Sequence, residues 1–260
     1  MSANSGIFKD NHFLLLAPPN AQIPAAFTRV ENNTALHEAW LTKAQQLRGQ
    51  VYLEDGAILS TDLDNAGRHI SRHDECSWHF LVLDLEERLR GVMRCQFWYT
   101  SQKLPELSEM HLYPLLERMQ SPTREQYERS IEAFIKAQHN KNCFFEVAGM
   151  AVDSSSQGIT VGSMLGVSGY SIANIKGSGS AIAAATERHH ASRLFHKLGG
   201  FRLGNSLGSQ EKLEPFFDSS YGCEMEFIGF VNLEPAPAIE EMIKTVEEKL
   251  CAAQVIVNRN

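Results

Sequence analysis

Four charged side chains and one polar turn have the clearest chemistry to offer. Glu146 stands between Phe145 and Val147 in the run "CFFEVAGMAV". Apolar company raises a carboxyl pKa toward neutrality, which suits a general base. A salt bridge or an edge position would explain the same residue. Arg94 closes the strand-like run "GVMR". It could grip a substrate carboxylate bidentately, or pair with Glu146 or Asp74. Arg48 ends an apolar-faced segment, where a cation also suits a helix C-terminus. Asp74 lies in a polar loop, where solvation is the ordinary fate of a carboxylate.

The turn is "SQGITVGS", residues 156–163, between a strand and a helix. Amides at a helix start, with the positive end of the dipole, favour a phosphate. Gln157, Gly158, Thr160, Gly162 and Ser163 would build that cradle, and an ordinary tight connection would read the same way. The spacing is neither a nucleotide P-loop nor a dinucleotide fingerprint. His189, His190 and His196 lack the spacing of a metal-binding helix.

The elements that must position these residues follow from periodicity. Residues 34–49 carry Leu36, Trp40, Leu41, Ala44 and Leu47 at helical spacing, with Gly49 as the stop. Residues 53–75 read as a long polar loop. The runs 78–84 and 91–98 read as an antiparallel hairpin. Residues 105–139 are helical, broken at Pro114 and Pro122. A strand at 143–152, a helix over 162–177, a strand at 180–187, a helix stopped by Gly199 and Gly200, a strand at 225–231 and a final amphipathic helix complete the order. Residues 1–30 read as an irregular arm, and 31–260 as one domain.

The chain has 260 residues and a net charge of −7, with no basic stripe to neutralise phosphates. Nucleic-acid binding is therefore disfavoured. Five widely spaced cysteines without a Cys-x-x-Cys pair point to reduced thiols and a cytoplasmic setting. No apolar run is long enough for a membrane helix, and the early "FLLLAPP" lacks the flanks of a signal peptide.

"MAVDSSSQGITVGSMLG" resembles the pyrophosphate loop of the Gcn5-related N-acetyltransferase (GNAT) superfamily, with Thr160 where that family has its central glycine. "AIAAATERHHASRLFHKLGGF" is similar to the family's next strand and helix, with Phe195 at the position of the tyrosine that protonates the leaving thiolate. Phenylalanine has no proton to give. A narrower resemblance is to acyl-homoserine-lactone synthases and N-acyl amino acid synthases. It rests on "LRGQVY" at 47–52, "HDECSWHFLV" at 73–82, "GVMR" at 91–94 and the strand from Glu146 to Val152. Ser71 and Gly149 depart from the lactone synthases, which have an acid and an arginine there.

The resemblance implies an α/β (α+β) fold, with a GNAT-like mixed, mostly antiparallel central sheet flanked by helices and a splayed strand pair at the acyl-donor site. It implies transfer of a long-chain acyl group from a phosphopantetheine thioester, acyl-CoA or acyl-carrier protein (acyl-ACP), to the amine of an amino acid-like acceptor. Arg48 would orient an N-terminal lid, Asp74 would organise the acceptor, Arg94 would pin its carboxylate and Glu146 would take the ammonium proton. A bulge near residues 148–150 would free an amide for the thioester carbonyl. Met150 and Val152 would line the pantetheine arm, and residues 157–163 would bind its phosphate. No permanently bound cofactor is implied, and a homo-oligomer is compatible with this reading. The alternatives are an acetyl-CoA-dependent N-acetyltransferase and a catalytically silent binding module on the same fold.

Overall fold

The computed structural model describes residues 9–154, 158–177, 179–188, 190–204, 213–231 and 239–259. Gln157, Ser178 and His189 lie outside the described residues. The chain divides into two compact units. Unit 1 comprises Met1–Gln96, Gly149–Ile175 and Pro237–Asn260; unit 2 comprises Phe97–Ala148 and Lys176–Ala236.

Unit 1 begins with a correction to the irregular arm. β1 (Asn11–Ala17) is a strand, antiparallel to β3 (Trp78–Asp84) and parallel to β10 (Gln254–Val257). β10 in turn pairs in parallel with β2 (Arg29–Asn32), and β3 pairs antiparallel with β4 (Leu89–Tyr99). β1 is covered on both faces, so its sequence is a continuous apolar run without the alternation that marks a one-sided strand. Leu14, Leu16, Leu81, Leu83, Val92, Ala151 and Ile256 form one core face. Packed against it are Leu36, Trp40, Leu41, Leu47 and Val51 of α1 (Thr34–Glu54). α4 (Gly158–Ile175) meets β4 at Gly91, where any β-carbon would strike the Val161 side chain. α6 (Glu240–Ala252) runs against α4, and Ser171 donates to the Ile243 carbonyl at 3.1 Å.

Unit 2 is built on β5 (Cys143–Val152), β6 (Gly179–Thr186), β9 (Cys223–Phe230) and β7 (Phe201–Arg202), in that order, with β8 (Phe216–Asp218) also on β9. β5 and β6 are parallel, with register from Cys143↔Gly179 to Val147↔Ala183; the pairs to β9 are antiparallel. α2 (Tyr113–Glu117) and α3 (Thr123–Lys136) start at the two prolines rather than break there. Pro114 occupies the first turn of α2 and Pro122 caps α3, positions that need no amide donor. α5 (Ala191–Lys197) ends before Gly199, whose φ of +93° suits only glycine readily. The strands thus form a mixed, mostly antiparallel sheet flanked by helices.

Candidate functional site

α1 continues past Gly49 for another turn. The reason for that glycine is space, since a β-carbon there would lie 2.5 Å from the Gly67 carbonyl oxygen. Arg48 is therefore a mid-helix residue, which removes the explanation of a cation at a helix end. Gln45, Arg48 and Tyr52 follow at i, i+3 and i+7, so one polar stripe of α1 faces inward.

Asp74 is the meeting point of this stripe. Arg48 Nη2 lies 2.8 and 3.0 Å from its two carboxylate oxygens, and Arg94 Nη1 lies 2.5 Å from Oδ1. Gln45 Nε2 and the Ser71 amide each donate to Oδ2 at 3.0 Å. Arg48 is 0% exposed, Arg94 1% and Asp74 2%. Burial alone would raise the Asp74 carboxyl, but Arg48 and Arg94 outweigh it and hold the group well below the usual carboxylate range. Burial, then the Arg48 charge, pulls the Arg94 pKa down, and Asp74 opposes them. Arg48 also donates to the His69 carbonyl at 2.6 Å, while its Nε and Nη1 are buried without a partner among the described residues. His79, fully buried, gives its Nε2 proton to the Asp74 carbonyl at 2.9 Å; burial pushes its pKa to about 4, so the ring is neutral.

Arg94 also explains Gly149. At that position φ is +63°, and a β-carbon would sit 3.1 Å from Arg94 Nε and 3.3 Å from its Cγ. The departure from arginine at 149 leaves room for the Arg94 stem and kinks β5 where a bulge was expected. Beyond the kink, the Asp153 amide donates to the Arg90 carbonyl on β4 at 2.9 Å. Strand alternation then turns the N–H and C=O of Val152 and Met150 to the other edge. Tyr52 Oη meets the Met150 carbonyl on that edge at 3.4 Å.

The expected phosphate loop is mostly helix. α4 begins at Gly158, so the amides of Gly158, Ile159 and Thr160 precede its first internal bond and have no partner within the helix. The amides of Gly162 and Ser163 fall inside the helix and bond to it, which corrects their assignment to a loop. A β-carbon at Gly158 would lie 3.5 Å from the Asp153 carbonyl oxygen and one at Gly162 3.9 Å from a Val152 methyl, ordinary contacts that leave room for a side chain at both positions.

Glu146, in unit 2, is 2% exposed, yet its company is not purely apolar. Its two oxygens accept from the amides of His111 at 2.6 Å and Leu112 at 2.7 Å. It thereby fastens the chain entering α2. Phe195 is core, edge-on to Phe230 with ring centres 5.9 Å apart. Glu226, which the sequence did not single out, binds Ser192, His196 Nε2 at 2.8 Å and Arg202 Nε at 2.6 Å. A groove of about 610 Å³ lies between residues 104–108 and α3, and none of the candidate residues lines it.

Sequence reasoning missed Gln45, Tyr52 and His79. Their helical spacing from Arg48, and the position of His79 within the quoted 73–82 segment, were the signals at hand.

No protein-family model matches the sequence, and no curated protein does. Among solved structures, the chain is similar to BjaI, a CoA-dependent acyl-homoserine lactone synthase in complex with SAM and isopentyl-CoA. Identity is 14%, the match covers 96% of this chain and 93% of that one, and the TM-score is 0.51. It is also similar to the acyl-homoserine lactone synthase LasI (13% identity, 88% and 94% covered, TM-score 0.49). The N-acyl amino acid synthase FeeM from uncultured soil microbes gives 14% identity, 86% and 92% covered, and a TM-score of 0.49. The chain has the fold of the GNAT-like acyltransferases.

Proposed function

We propose that the chain is an N-acyltransferase that moves an acyl group from a phosphopantetheine thioester to the amine of an amino acid-like acceptor. The observation that carries this reading is the edge of β5 from Gly149 to Val152, kinked at one end and leading to the start of α4 at the other. The pantetheine arm pairs with the N–H and C=O groups of Met150 and Val152 that face away from β4, and takes the place of the Tyr52 hydroxyl at the Met150 carbonyl. Its phosphate meets the amides of Gly158 and Thr160 and the Thr160 hydroxyl. An amide at the kink polarises the thioester carbonyl.

The buried Arg48–Asp74–Arg94 group supports an acceptor that carries a carboxylate. Arg48 has donors to spare, and Asp74 holds both guanidinium groups in orientation. The resemblance gives Glu146, buried in unit 2, the part of accepting the ammonium proton. The resemblance to BjaI makes coenzyme A thioesters one donor to test, and the acyl-carrier protein is the other. A long acyl chain follows from the resemblance. An acetyl-CoA-dependent acetyltransferase is the second reading. Phe80 is fully enclosed in the core of unit 1, and Phe97 in unit 2, half-buried, stacks on Phe145 with ring centres 5.0 Å apart.

The test is incubation with acetyl and decanoyl thioesters of coenzyme A and of acyl-carrier protein, each with an amino-acid mixture. Mass spectrometry should find an N-acyl amino acid. No product from any donor would overturn the proposal, and product from acetyl-CoA alone would select the second reading.

A further inference from the structure

We propose that the Tyr52 hydroxyl is the proton donor to the departing thiolate. The inference rests on the acyl transfer proposed above and names the acid that Phe195 does not supply. Tyr52 stands one turn after Arg48 on α1, and its hydroxyl reaches the Met150 carbonyl at 3.4 Å. That carbonyl is one residue past the kink at Gly149, on the edge of β5 turned away from β4. On the proposed reading, the thioester lies along this edge with its carbonyl at the kink. The sulfur then falls beside the Met150 backbone, within reach of the phenol.

Three features fit the role. At 3.4 Å, the bond to Met150 is longer than an ordinary O–H···O bond, so the proton is easily redirected. The ring packs against His69 with ring centres 5.5 Å apart, which holds the hydroxyl at the Met150 carbonyl. Burial pushes the phenol pKa up, moderated by the charges of Arg48 and Arg94, so the oxygen keeps its proton at neutral pH.

The step balances. The amine lone pair forms the C–N bond, and the carbonyl electron pair moves to oxygen. On collapse the C–S bond breaks with its pair on sulfur, which takes the Tyr52 proton. The phenolate is reprotonated by the proton lost from nitrogen. The sum is thioester plus amine giving amide plus thiol.

The experiment compares wild type and Tyr52→Phe on two donors, decanoyl-coenzyme A and the decanoyl thioester of 4-nitrothiophenol, with an amino-acid mixture as acceptor. A nitrothiophenolate leaves without protonation, so it does not need the acid. Tyr52→Phe should lower kcat by about 100-fold with decanoyl-coenzyme A. With the nitrothiophenyl donor it should stay within about 2-fold of wild type. An equal loss on both donors would make Tyr52 a packing or positioning residue and overturn the inference, as would no loss on either. Wild-type protein that transfers acyl groups while Tyr52→Phe responds uniformly overturns this inference alone. Wild-type protein inert toward every thioester overturns it together with the reading beneath it.

Discussion

Replacing Asp74 with Asn would leave Arg48 and Arg94 buried side by side with their shared carboxylate gone. Breaking a buried ion pair from one side typically costs about 3–5 kcal/mol. Asp74→Asn should therefore move the urea midpoint down by a corresponding amount, and an unchanged midpoint would show that the cluster holds nothing together. Glu146→Gln separates two roles. The amide can still accept one backbone N–H but points a donor at the other, which costs about 1–3 kcal/mol of stability. If Glu146 is also the base, kcat falls about 100-fold or more beyond any loss of folded protein. A folded Glu146→Gln protein with the wild-type rate would confine Glu146 to fastening residues 111–112.

Gly149 makes the strongest claim among the elements, because its positive φ and its contact with Arg94 act together. Gly149→Ala should destabilise by about 1–2 kcal/mol for the left-handed backbone alone, with a further loss as Arg94 shifts. Thermal unfolding would measure it, and a neutral substitution would mean that β5 relaxes there without cost. The hairpin at β3–β4, the strand β5 and the helices α1, α4 and α6 were legible as β-rich runs bounded by turn residues or as segments of helical length. β1 and β10 were not, because short apolar runs are ambiguous between helix and strand. Gly49, Gly158 and Gly162 read as turn or stop residues, yet each is helical, and Gly49 is placed where the Gly67 carbonyl comes too close for a side chain. Arg48, Asp74 and Arg94 were legible as charged residues in quoted segments. Their mutual contact was not, since 26 residues separate Arg48 from Asp74 and 20 separate Asp74 from Arg94.

Across the molecule, stability should fall in mild acid. Burial lowers the pKa of His37, His69, His73 and His79 in the folded state, the last to about 4. The unfolded chain binds these protons first, so stability is full above the unfolded histidine value and falls as pH drops from about 6.5 toward 4. His79 alone accounts for roughly 3 kcal/mol of that loss. Asp74 and Glu226 have depressed folded values, so their contribution is present above the ordinary carboxylate range and is lost at still lower pH. Urea midpoints between pH 8 and pH 5 would check the histidine part, and a flat profile would contradict it.

The most direct test of the account as a whole is the product formed from a phosphopantetheine thioester. Given decanoyl-coenzyme A or decanoyl-carrier protein and an amino-acid mixture, the protein should yield an N-decanoyl amino acid by mass spectrometry. It should yield none when the acceptors lack a carboxylate. Absence of any N-acyl product, or equal turnover of amines without a carboxylate, would contradict the roles assigned to the β5 edge and the Arg48–Asp74–Arg94 group.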